Sequence, residues 1–259
     1  MKRRNFIKAA SLTTLAASTT TLGATTPAAE AQQQILEWRV YHLKWGSSAR
    51  PLHEFLEKGL IPALNRAGVS NVGVFTEMAD PTPPKLYVLI SYKSLGHMAE
   101  VGGNLAEDAS YQKASAALAE APPEKPIYTR FEKYVLEAFA GMPETQVPDS
   151  KERIFELRTY EGYNEDATIR KVKMFNEGEI DIFLKTDLHP VFFGHILAGP
   201  AMPALIYMLW FKDIEERDAN WAKFVSHPDW KKMSKMPEYA NTVSNIIRVF
   251  LKPTAYSQI

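Results

Sequence analysis

Two stretches of this chain occur twice at a fixed spacing. Ile35-Leu-Glu-Trp-Arg-Val-Tyr41 returns as Ile154-Phe-Glu-Leu-Arg-Thr-Tyr160, 119 residues later. At the same spacing Leu86-Tyr-Val-Leu-Ile-Ser-Tyr-Lys93 meets Leu205-Ile-Tyr-Met-Leu-Trp-Phe-Lys212, and Tyr111 meets Trp230. A single matching heptamer arises by chance, whereas several at constant spacing read as an internal duplication. Whatever fold one copy adopts, the other is expected to adopt too.

Each copy shows the same succession of patterns. In the first, residues 35–42 alternate Glu37, Arg39 and Tyr41 with Leu36, Trp38 and Val40, the period of a strand. Pro51 suits a first helical turn, and Leu52, Phe55, Leu56, Leu60, Ile61 and Leu64 recur at helical spacing. Pro62 predicts a kink or a shortening, and Gly68 a stop. Strands follow at about 70–77 and 85–92, joined by the Pro81–Pro84 turn. Ser94 opens a helical region to about 119, and the Pro122-Pro123 loop leads to a strand at about 130–138. The second copy starts at Arg153. It continues with a helix over 169–184, strands over 190–197 and 204–211, a helix over 213–224 and a strand over 246–251. Asp213 with Glu216 three residues on is a capping-box pattern. Only the last strand needs a shift of a few residues to match its counterpart.

This order is the split βαββαβ pattern of ferredoxin-like folds, a four-stranded antiparallel sheet with both helices on one face. The opposite face needs a cover, and a second copy supplies one. The expected architecture is α+β: two tandem ferredoxin-like βαββαβ modules packed sheet to sheet as an intrachain α/β barrel. The modules span 35–140 and 153–253, with a polar linker over 141–152. Outer strand edges leave a homo-oligomer open.

Residues 1–31 read differently. Arg3 and Arg4, followed by Phe6, Ile7 and Lys8, precede a weakly apolar Ala/Leu/Thr stretch and Ala29-Glu30-Ala31, a small-x-small cleavage pattern. This is a twin-arginine signal peptide, an address and not a fold element, and it predicts a periplasmic or otherwise exported protein. Four of the 30 basic residues and one of the 30 acidic residues lie there, which leaves 26 against 29 and a net charge of −3. That balance gives no electrostatic reason to expect a nucleic-acid or anionic-membrane partner. No later segment reaches the roughly 18 apolar residues of a membrane span. With no cysteine in the chain, disulfides, thiolate catalysis and thiolate metal sites are excluded.

Several of these segments resemble one family. Phe155-Glu-Leu-Arg-Thr-Tyr160, the third-strand pattern and Trp221 through Phe224-Val-Ser-His-Pro-Asp-Trp230 look like the NIPSNAP family, with Leu36-Glu-Trp-Arg-Val-Tyr41 a more divergent version. The first copy departs from the pattern where it has Asp108-Ala-Ser-Tyr111. The resemblance implies a dimeric α/β-barrel fold and little defined chemistry.

The candidate site follows from strand alternation. Glu37, Arg39 and Tyr41 share one face, and Glu156, Arg158 and Tyr160 repeat it. Helices need apolar partners, so the Leu/Trp/Val face is expected beneath them and the polar face inside the barrel. There the arginines could hold a carboxylate, the tyrosines hydrogen-bond or stack, and a glutamate act as a base. The bland alternative is that each Glu–Arg pair simply neutralises itself. Among six histidines none has zinc spacing, and no metal is expected; His189 and His195 lie roughly 20 Å apart along one strand. His195, mid-strand, is the one candidate axial haem ligand or acid–base group, and His227 before Pro228 is expected to cap a helix or turn. The large aromatics of the second copy are expected in the core, and no glycine pattern makes a phosphate loop.

The expected function is an exported protein that binds a small polar or amphipathic ligand in the barrel interior. The alternatives are a cofactor-free or haem-dependent oxygenase- or isomerase-like enzyme, by analogy of fold alone, and a structural or protein-interaction module. The cofactor, if any, is not legible.

Overall fold

The computed structural model describes residues 32–259, so the signal expected over 1–31 lies outside the described residues. The first half runs β1 (Ile35–His42), α1 (Arg50–Phe55), a π-turn (Leu56–Leu60), α2 (Ile61–Arg66), β2 (Gly73–Glu77), β3 (Lys85–Tyr92), α3 (Leu95–Glu107), α4 (Ala109–Ala119) and β4 (Arg130–Ala138). The second runs β5 (Ile154–Glu161), α5 (Glu165–Met174), a π-turn (Phe175–Glu179), α6 (Ile180–Lys185), β6 (His189–Ala198), β7 (Ala204–Phe211), α7 (Ile214–Ser226), α8 (Pro228–Met233) and β8 (Asn245–Pro253).

Local chemistry explains most boundaries. Ser94, Asp108, Asn164 and Asp213 cap α3, α4, α5 and α7 through their side chains. The Asp213–Glu216 cap forms, but Glu216 reaches back to the amide of Lys212, one residue before the cap. His227 caps α8 by accepting from the Asp229 amide at 3.2 Å. The kink expected at Pro62 is a π-turn placed before it, closed by the Ile61 amide on the Leu56 carbonyl. Pro62 then falls in the first turn of α2. The second half makes the same turn without a proline. What the two turns share is a close approach at glycine. A Cβ on Gly59 would stand 2.6 Å from the Ala114 Cβ, and one on Gly178 2.6 Å from the Met233 Cε.

Hydrogen-bonded neighbours follow the order β1-β3-β2-β8-β5-β7-β6-β4 and close into a barrel. Each half contributes four contiguous antiparallel strands, and the halves join at two antiparallel seams, β2 with β8 and β4 with β6. The outer strand edges left open for partner chains are therefore consumed within the chain, which removes the usual template for edge pairing.

The barrel interior is apolar. Leu36, Trp38 and Val40 point inward with Phe75, Leu89, Leu136, Phe155, Leu157, Phe192, Ile206, Met208 and Leu251. Trp38 sits among Tyr87, Phe192 and Phe75, with ring centroids 5.7, 6.1 and 6.2 Å away. Eight strands leave an interior just wide enough for side chains to fill. This reverses the expected facing of β1 and β5. Tyr41 belongs to the cluster beneath the first half's helices, and Tyr160 to the one beneath the second's. Glu37, Arg39, Glu156 and Arg158, which alternate with the inward residues, lie on that helix-covered side. The physical reason is access to partners. A sealed lumen offers a charge neither water nor a counter-ion, whereas the helix layer has gaps through which both reach the sheet.

Candidate functional site

The Glu-x-Arg-x-Tyr motif builds two different environments. In the first half Glu37 is 1% exposed and is held by Arg39, by the Lys133 ammonium at 3.0 Å and by the Tyr92 hydroxyl, which donates at 3.1 Å. Burial pushes the Glu37 carboxyl up, and Arg39 and Lys133 outweigh it, so the group is held below its ordinary value. Aromatic rings close over this end. Tyr41 packs edge-on against Tyr128 at 5.2 Å and stacks on Phe131 at 5.4 Å.

In the second half Glu156 is fully buried. Arg158 donates to it from Nε at 2.8 Å and approaches from Nη2 at 2.7 Å. Arg217 on α7 donates through Nε and Nη2, both at 2.9 Å, and the Trp221 indole donates at 2.8 Å. Burial again pushes this carboxyl up, and Arg217, Arg158 and Trp221 more than reverse it. A fork donating both bonds to one carboxylate fixes orientation as well as charge. The Arg158 guanidinium lies over the Trp221 ring at 3.8 Å, a cation–π contact, and its Nη1 donates to the Tyr160 hydroxyl at 3.3 Å. Tyr160 and Tyr207 share a hydroxyl hydrogen bond of 2.8 Å.

This second constellation opens onto a cleft of about 430 Å3 between the outer face of the sheet and the helices. Arg158, Arg217 and Lys171 present cations to it, Glu179 a carboxyl, and Tyr160, Trp221, Phe224 and Trp230 aromatic faces, with Val225, Val243 and Ile246 completing the wall. Lys171 donates to Glu179 at 2.6 Å, and its ammonium lies 4.7 Å from the Phe175 ring centre and 5.6 Å from that of Trp230. Burial pushes the Glu179 carboxyl up, against the pull of Lys171 and Arg158. The size falls in the range of small-molecule sites, with a mostly apolar lining and a few convergent polar groups.

The residues expected to converge thus divide. Arg158 and Tyr160 line the cleft and Glu156 anchors its floor. Glu37, Arg39 and Tyr41 form the separate ion-pair end of the first half. His195 is on β6 beside the seam, paired in register with Glu137 of β4, and does not line the cleft. Burial pushes its imidazole below the ordinary value, against the charge of Glu137. A haem held in the cleft on His195 therefore does not fit these residues. Among the described residues no group of three or more His, Cys, Asp or Glu side chains is placed to hold a metal ion.

Strand alternation does not bring out Lys171, Glu179, Arg217 or Trp221, and the aromatic pattern alone puts Trp221 in the core. A signal for them exists in the repeat. Shifted back by 119, they fall on Leu52, Leu60, Met98 and Gly102. One half has apolar or small residues where the other has charges and an indole, so the two halves build different environments.

Residues 155–258 match the NIPSNAP family model. No curated protein sequence matches the chain significantly. Among solved structures, a candidate monooxygenase from Lactobacillus acidophilus superposes with a TM-score of 0.57 at 13% identity, over 85% of this chain and 94% of its own. A candidate monooxygenase from Fusobacterium nucleatum gives 0.54 at 10% identity, over 85% and 92%. These likenesses establish the shared α/β-barrel fold. Among the described residues no helix is long and apolar enough to cross a membrane.

Proposed function

We propose that this is an exported protein of two duplicated NIPSNAP-type modules, which binds a small organic acid with a flat apolar body. The site is the cleft of the second half and not the barrel interior. The observation that carries this reading is the convergence of Arg158, Lys171 and Arg217 with Trp221, Phe224 and Trp230 around one opening. Arg217 also pairs with Asp218 at 2.6 Å and Arg248 approaches Glu156 at 4.0 Å, so four cations face three carboxylates around the cleft and one positive charge is left for an anion. The indole and phenyl rings supply stacking surface for an apolar body. The equivalent first-half positions Leu52, Met98 and Gly102 carry neither charge nor ring, so one site per chain is expected.

Calorimetric titration of 3-phenylpropionate into residues 32–259 tests the reading. The expected result is saturation at one ligand per chain. Trp221→Gly, which copies the first half, should weaken affinity by about tenfold or more, equivalent to about 1.4 kcal/mol per decade. Heat at two sites per chain, or affinity indifferent to Trp221, would contradict it. Export has its own test. A reporter fused after residue 31 should leave the cytoplasm with the native leader and stay behind with Arg3→Lys/Arg4→Lys; passage of both versions would refute the twin-arginine reading.

A further inference from the structure

Lys171 is the only lysine among the buried charged residues described, and its partner Glu179 is buried with it, the two side chains 6% and 2% exposed. The fold does not require this pair. At the corresponding positions of the first half, on the same helix and the same π-turn, stand Leu52 and Leu60, both fully buried in the same kind of layer. A buried ion pair is generally no more stabilising than two well-packed apolar side chains, so stability does not account for exchanging the leucines for charges. The pair also borders the cleft, with Arg158 and Tyr160 on the same wall.

We propose that Lys171 forms an imine with a carbonyl compound bound in the cleft, of the 2-oxo acid class with an apolar or aromatic side chain, and that Glu179 moves the protons. The proposal rests on reading the cleft as an organic-acid site, with Arg158 as the carboxylate's counter-ion. The ammonium first passes a proton to the Glu179 carboxylate, 2.6 Å away. Burial, which pushes that carboxyl up, favours the proton there. The neutral amine adds to the carbonyl carbon, and the C–O π pair moves to oxygen, which takes the proton from Glu179. Glu179 then removes a proton from nitrogen and returns it to the carbinolamine hydroxyl, which leaves as water as the nitrogen lone pair closes the C=N bond. The sum is ammonium plus carbonyl giving protonated imine plus water, with Glu179 returned to its carboxylate and no oxidant or reductant. The rings of Phe175 and Trp230 beside the nitrogen keep water from the adduct.

The test is reductive trapping. Protein comprising residues 32–259 is treated with phenylpyruvate and cyanoborohydride, then weighed intact and mapped by peptide. The expected product is one adduct per chain on Lys171, formed about tenfold or more faster than on the half-exposed Lys173 and Lys185. Glu179→Gln should slow it. Lys171→Leu/Glu179→Leu, which copies Leu52 and Leu60, should lose the adduct with an unchanged or raised Tm. Label confined to exposed lysines would overturn the proposal, and so would a lowered Tm in the double leucine variant, since the pair would then be structural. A parallel titration with 3-phenylpropionate, which lacks the carbonyl, separates the two readings. Binding without an adduct removes the imine and leaves the acid site; no binding and no adduct removes both.

Discussion

At the scale of single residues, the Glu-x-Arg pairs are better understood as anchors than as free reactive groups. Glu156 accepts from two arginines and an indole, so replacing it strands two guanidiniums that are only 11% and 14% exposed. Glu156→Gln is expected to cost about 3–5 kcal/mol, the usual penalty for removing one partner of a buried pair, read from the urea midpoint at neutral pH. The pH dependence has a definite sign. Glu37 and Glu156 are both held below their ordinary value of 4.5, so their contribution is complete above 4.5 and is lost as pH falls through the folded values. Wild-type stability should therefore drop below that pH, and Glu156→Gln should flatten part of the drop. A wild-type midpoint unchanged down to about pH 3 would mean these carboxylates gain nothing from their partners. Alternation on the strand gave the pairs themselves. It could not give Arg217 or Trp221, which come from a helix some 60 residues away in sequence.

Among the elements, strands and caps were the most legible, because period-2 alternation and Asp/Ser caps act locally. The π-turns were not, since nothing in a helical apolar pattern announces one extra residue per turn. Their glycines make opposite predictions from the helix glycines. A methyl on Gly59 would press on the Cβ of Ala114, which has no side-chain freedom with which to retreat. Gly59→Ala is expected to destabilise by about 1–3 kcal/mol. Gly102, within α3, has open space around its Cβ position, and Gly102→Ala is expected to stabilise by about 0.5–1 kcal/mol. Denaturant midpoints of the two variants check this pair; the same sign for both would undo the packing account of the turn.

For the whole molecule, the repeat and the βαββαβ order were enough to reach a closed barrel, and the structure adds how it closes, through two antiparallel seams. The orientation of β1 and β5 differs from the expected one for a general reason. Alternation marks which face of β1 and β5 is drier but not whether that face meets the helices or the lumen, and the assumption that helices take only apolar partners fails when a helix brings its own Arg217 and Trp221. The consequence is functional. The lumen around Trp38 is filled, while the cleft that joins Arg158, Lys171 and Arg217 to Trp221 lies outside the barrel against the second half's helices.

The indole resonances offer the most direct test, because Trp38 marks the lumen and Trp221 the cleft. In a titration of 15N-labelled residues 32–259 with 3-phenylpropionate, the account predicts that the Trp221 indole N–H, now donated to Glu156 at 2.8 Å, shifts and saturates while that of Trp38 stays still. A moving Trp38 signal beside a stationary Trp221 would place the ligand inside the barrel and contradict it.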